Sequence, residues 1–267
     1  MKQHLWIRSQ HLTVEPMKIR TLIVGYVLAL ALFLFAQRHP GSSAPTGFHA
    51  VVDLTHSLDA KAFEPAEKPA QLKTVSRGFV QNSPEQIETR IEAPSHFARG
   101  LWTVDHIPTE RLIAPLVVLD VSANIANHPD YQISVEDIAR WERTHDQIPL
   151  GSVVMARTGW DSRWNSARDY HNADQKGTMH FPGYSEDAAK FLIQGRGALG
   201  LGIDTLSIDH GLSKDFPVRQ YALAHSVYQL ENVANLDHVP ATGGMVVVAP
   251  TKLAGSTAPA RILALLH

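Results

Sequence analysis

The 267-residue chain contains no cysteine. That absence excludes disulfide frameworks, zinc–thiolate sites, iron–sulfur clusters and cysteine nucleophiles. An excess of positive charge is also missing. The 24 lysines and arginines face 26 aspartates and glutamates, for a net charge of −2, which leaves no electrostatic footprint for nucleic acid. Charged residues make up 19% of the chain, below the ~25% of ordinary globular proteins. With 44% hydrophobic residues, the chain is neither disordered nor supercharged. No G-x-S-x-G elbow, H-E-x-x-H pair or Walker loop occurs, so three common catalytic frameworks lack their motif. Gly195, Gly197 and Gly200 do fit G-x-G-x-x-G. A helical pattern precedes them and a strand pattern follows, the reverse of a dinucleotide fingerprint, so they read as a helix stop and a tight turn. The residue in surplus is histidine, with 15 copies. Such a surplus fits metal or acid–base chemistry, and equally surface drift.

The longest uncharged apolar run, Leu22 to Ala36, is shorter than the ~20 residues of a membrane span. Lys18 and Arg20 precede it, and Met17 opens a better start than Met1. Residues 1–36 therefore read as a signal peptide, with an uncleaved anchor through 22–36 as the alternative. The folded part is expected outside the cytoplasm, periplasmic or extracellular. Residues 37–49 read as a linker, and 50–267 as one domain.

Strands and helices alternate along that domain. Strands are expected at Val51–Thr55, Leu116–Val121, Val153–Arg157, Leu199–Ile208, Met245–Ala249 and Ile262–Leu266. Ser134 with Asp137 forms a capping-box pattern, and Ser185 caps a second helix. Tyr221–Glu231 reads as a third helix. The result is a single α/β domain with a mixed sheet. Asp209-His210 and His145-Asp146 read as chance neighbours in a histidine-rich chain, and Asp169, His171 and Asp174 read as part of a solvated polar loop.

The segment Gln86-Ile87-Glu88-Thr89-Arg90-Ile91-Glu92-Ala93-Pro94-Ser95-His96 stands apart. It resembles the H-x-G-T-H-x-D-x-P-x-H signature of the cyclase family, which includes bacterial kynurenine formamidases and isatin hydrolases. Blocks in the family order follow at Thr103–Pro108, Arg157–Trp160, His180–Gly183, Gly202–Asp209, Leu230–Leu236 and Pro240–Gly243. The resemblance implies a barrel-like mixed sheet flanked by helices, of the swivelling β/β/α type. It also implies a homo-oligomer and a small-molecule amide or lactam as substrate. The implied chemistry is hydrolysis assisted by zinc or manganese, the ion lowering the pKa of its bound water while a histidine moves the proton.

The sequence departs from that signature at the ligands. Gln86 and Arg90 stand where the family has its metal histidines, Glu92 stands for the aspartate, and Arg219 stands for a later histidine twelve residues before Glu231. A guanidinium has no lone pair for a metal. Only Glu92 and Glu231 remain able to ligate, and His96 keeps the family's proton-transfer position. Two readings follow: a hydrolase working through His96 or a weak rebuilt site, or a non-catalytic binding protein on an enzyme scaffold. The count of two arginines against two glutamates adds an expectation, that Arg219 and Arg90 ion-pair with Glu231 and Glu92 in the former metal cavity.

Overall fold

The computed structural model describes residues 47–57, 73–75, 78–80, 88–125 and 128–267. Residues 1–46, with the expected signal segment and most of the linker, lie outside the described residues, as does Gln86. Among the described residues, no helix is long and apolar enough to cross a membrane.

Among the described residues, twelve strands follow one another: β1 (Ala50–Asp53), β2 (Lys73–Val75), β3 (Gly78–Val80), β4 (Arg90–Glu92), β5 (Ile113–Asp120), β6 (Gln132–Ile133), β7 (Val153–Arg157), β8 (Gly183–Tyr184), β9 (Gly200–Ile203), β10 (Tyr228–Glu231), β11 (Gly244–Pro250) and β12 (Thr257–Leu266). The main sheet runs β1-β12-β11-β5-β7-β9-β10-β4, and β4 pairs back onto β12. That last pairing closes a seven-stranded barrel, with β1 as an extra strand on β12. Strands β5, β7, β9 and β10 pair in parallel, and the remaining pairs of this sheet are antiparallel. The barrel-like mixed sheet implied by the resemblance is present.

Period-two alternation divides the core in two. Leu116, Val118, Val153, Met155, Ile91 and Leu230 fill the barrel together with residues of β11 and β12. Val117, Leu119, Val154, Leu201 and Ile203 point the other way, into a layer built with Ile138, Trp141, Leu192 and Ala222 of the surrounding helices. Gly200 is where the strand must remain bare. A Cβ there would come within 2.5 Å of the Tyr228 ring on the neighbouring strand, a close approach of the kind a strand glycine signals.

The helix at Val135–His145 carries the expected capping box, with Ser134 and Asp137 satisfying each other's backbone N–H. Ser185 caps Glu186–Lys190 as expected, and a π-helical turn at Phe191–Gly195 continues it. Gly197 takes φ +63 just beyond, consistent with a helix stop.

Two expectations need correction. Leu199–Ile208 is a strand only over Gly200–Ile203; at Asp204 the chain bends, and its side-chain carboxylate accepts from the Thr158, Gly159 and Trp160 N–H groups just past the end of β7. The third helix is Pro217–Ala224, not Tyr221–Glu231. Proline at its first turn is a start signal, and Ser226 at φ 59 breaks the chain into β10. Glu231 therefore sits on a strand, not on a helix.

Candidate functional site

β4 and β10 place the site. Arg90 and Glu92 are two residues apart on β4 and share the face opposite Ile91, which fills the barrel. β10 runs antiparallel beside it, with Glu231 opposite Arg90 and Gln229 opposite Glu92. Thr89 fixes the start of β4 by donating to the Asn232 carbonyl at 2.6 Å and accepting from the His56 N–H.

The fourth charge arrives from the Pro217–Ala224 helix. Asp209 accepts from the Val218 and Arg219 N–H groups at 3.0 and 2.9 Å, holding the helix N-terminus down. Gln229 donates to the Arg219 carbonyl at 3.1 Å. Arg219 is thereby fixed over the strand face. Asp209, read as a chance neighbour of His210, is a buried positioning group. Its position in the Gly202–Asp209 block was the available signal, but nothing local revealed the contact with a helix nine residues on.

The four charged side chains form one buried network. Arg90 Nη2 donates to Glu92 Oε1 at 2.8 Å, and Arg219 Nη2 donates to Glu231 Oε1 at 2.7 Å. The cross pairs are Arg219 Nε to Glu92 Oε2 at 3.2 Å and Arg90 Nε to Glu231 Oε2 at 3.6 Å. Each carboxylate thus faces both guanidinium groups. Arg219 Nη2 also donates to Ser207 Oγ at 2.8 Å. Both glutamates are 0% exposed, and the arginines are 4% and 8% exposed. The expected pairing of Arg219 with Glu231 and Arg90 with Glu92 is what the structure holds. Register is intact, so Arg90 points at the site. Burial pushes the Glu231 carboxyl up, with Glu92 adding to the effect and the two arginines opposing it.

His96 lies on a short 3-10 turn just after β4, at the surface, with Nδ1 3.0 Å from Ser256 Oγ. Desolvation lowers its pKa first, and the charges of Arg219 and Arg90 lower it further. An imidazole in that field stays neutral and keeps a lone pair near pH 7.

Next to Arg219 opens a cleft of about 570 Å³. Phe181, Leu206, Met179 and Phe216 supply apolar walls, while Ser207 and Asp209 supply polar atoms. The Arg219 guanidinium carbon lies 5.1 Å from the Phe216 ring centre, a cation–π distance.

The residues at this position do not fit a divalent ion. Two carboxylates are the only ligand-type groups of the network, and two guanidinium groups already neutralise them. Among the described residues, no group of three His, Asp or Glu side chains is arranged to hold a metal.

Three kinds of similarity bear on this geometry. Residues 52–210 match the cyclase family model, described as "Putative cyclase". The isatin hydrolase of Roseibium aggregatum is 33% identical over 190 residues, covering 68% of this chain and 72% of that relative. Among solved structures, an isatin hydrolase bound to the product analogue thioisatinate superposes with a TM-score of 0.69. It is 26% identical, over 89% of this chain and 98% of that one. A structure described as a potential metal-dependent hydrolase with cyclase activity matches at TM-score 0.57 and 25% identity, over 82% of this chain and 98% of that one.

Proposed function

The chain belongs to the cyclase family, and we propose that this member is a binding protein for small aromatic amides or lactams that has lost metal-assisted hydrolysis. The observation that carries the proposal is the Arg90–Glu92–Arg219–Glu231 network. A catalytic dication needs free lone pairs and an open coordination position. Here both carboxylates are charge-paired. A third positive centre, doubly charged, would meet two guanidinium groups that cannot lose their protons. The cleft beside Arg219 retains the size and apolar walls of a small-molecule site. Relatives named for isatin supply the ligand class, a planar lactam without net charge. Such a ligand suits a cleft whose arginine is already neutralised.

One observation favours a second reading. The neutral His96 keeps a basic nitrogen beside the network, and such a group can accept a proton from water attacking a carbonyl. Slow metal-free hydrolysis would then run through His96.

We also propose export on the strength of the 22–36 apolar run behind Lys18 and Arg20. Self-association is a further expectation, implied by the family.

The test combines metal analysis with binding and turnover of isatin and N-formylkynurenine by the purified full chain. Saturable isatin binding without turnover, and with metal far below one equivalent, supports the proposal. Turnover that a chelator abolishes and manganese restores would overturn it. Chelator-resistant turnover lost in His96→Ala selects the second reading.

A further inference from the structure

We propose that His180 is a pH-sensitive clamp on one wall of the cleft, a reading that rests on the cleft beside Arg219 as the ligand site. His180 ends a loop that supplies Ala173, Gly177 and Met179 to the cleft wall. Its ring stands between two carboxylates from different parts of the chain. Nδ1 lies 2.8 Å from Asp130 Oδ2, in the turn before β6, and Nε2 lies 3.9 Å from Asp174 Oδ2, within the loop itself. Among the described residues, the charges of these two carboxylates act on the ring.

Asp174 braces the outer part of the loop from within. Asp174 Oδ1 accepts from the Lys176 and Thr178 N–H groups at 2.8 Å each, and Ala173 pairs with Met179 across the loop's base. The far end is fixed independently, because Gly211 N–H donates to the Phe181 carbonyl at 2.8 Å. Asp174 is the tether of the loop's outer part to the imidazole.

The two contacts differ in what they require. The Asp130 bond survives loss of a proton, since the neutral tautomer with hydrogen on Nδ1 still donates. The Asp174 contact does not survive it. At 3.9 Å it is an ion pair, and a neutral ring turns a lone pair on Nε2 toward the carboxylate. The hydrogen bond to Asp130 comes first among the causes that raise the His180 pKa, with the charges of both aspartates adding to it. A raised value places full clamping below the ordinary histidine value of 6.5. The clamp is lost as pH rises through the shifted value. Acidic conditions close the wall and alkaline conditions loosen it.

Backbone hydrogen exchange of the ligand-free full chain, read as protection factors from pH 5.5 to 8.5, tests the clamp without any ligand. The Lys176 and Thr178 amides should lose about two- to fivefold protection across that range, the yield expected of one exposed ion pair. Asp174→Asn retains an oxygen acceptor for both amides and removes the charge, so it should flatten the profile. Protection independent of pH, or the same pH dependence in Asp174→Asn, would overturn the clamp. Isatin titrations over the same range read the ligand site separately. Pulsed exchange that follows pH while isatin fails to bind retains the clamp and refutes the ligand assignment.

Discussion

Replacing Arg219 with methionine removes one charge from the network and keeps most of the side-chain volume. The change leaves Glu231 with Arg90 alone, at 3.6 Å, and leaves Glu92 Oε2 without its partner at 3.2 Å. Ser207 loses its donor as well. Breaking a buried ion pair from one side costs roughly 3–5 kcal/mol. For a domain of this size that lowers Tm by about 6–20 °C. The loss should depend on pH in a defined direction. Burial and Glu92 already raise the Glu231 pKa, and removing an arginine raises it more. A carboxyl raised in the folded state costs stability when ionised and stops costing it when protonated. The deficit of Arg219→Met is therefore largest above neutral pH and shrinks as pH falls toward 5. Adding Glu231→Gln should recover part of the loss, because the stranded charge is removed. Calorimetry of the wild type, both single variants and the double variant at pH 5 and pH 8 measures each step. A Tm within about 2 °C of wild type for Arg219→Met, or an equal deficit at both pH values, would refute the reasoning.

The His96 imidazole should titrate below the ordinary 6.5 by nuclear magnetic resonance and move upward in Arg219→Met, since Arg219 is one of the charges holding it down; an unchanged midpoint would place the cause elsewhere. The quadruple variant Gln86→His, Arg90→His, Glu92→Asp and Arg219→His should gain zinc or manganese binding by calorimetry, and failure would mean that the backbone there is not shaped to hold a metal. Asp209→Asn leaves one acceptor oxygen for the two helix N–H groups and removes a charge at the helix N-terminus, which should cost about 1 kcal/mol in denaturant unfolding. No change in the midpoint would show that the helix does not depend on that contact.

The barrel was legible where residues repeat every two positions or run apolar without interruption. Val153–Arg157 matches its strand end to end, and Leu116–Val121 overlaps β5 over five residues. What local pattern could not supply was the break at Ser226, since a positive φ at a serine has no propensity signal. The stretch Tyr221–Glu231 therefore read as one helix and hid a strand carrying a site residue. The Leu199–Ile208 pattern runs past the Gly200–Ile203 strand for a similar reason: the bend at Asp204 is anchored by N–H groups of residues 158–160, more than forty positions away. At the site, charge counting among Arg90, Glu92, Arg219 and Glu231 was enough to foresee the pairing. The long-range role of Asp209 was not foreseeable, because a buried cap is defined by the element it meets and not by its neighbours in sequence.

In this site two guanidinium groups take the electrostatic role of a dication. Anomalous diffraction from crystals of the full chain grown with millimolar zinc or manganese reads it directly. No anomalous peak is expected between Glu92 and Glu231, with Arg219 Nη2 within about 3 Å of Glu231 Oε1. A full-occupancy peak ligated by both carboxylates, with Arg90 and Arg219 turned away, would contradict it.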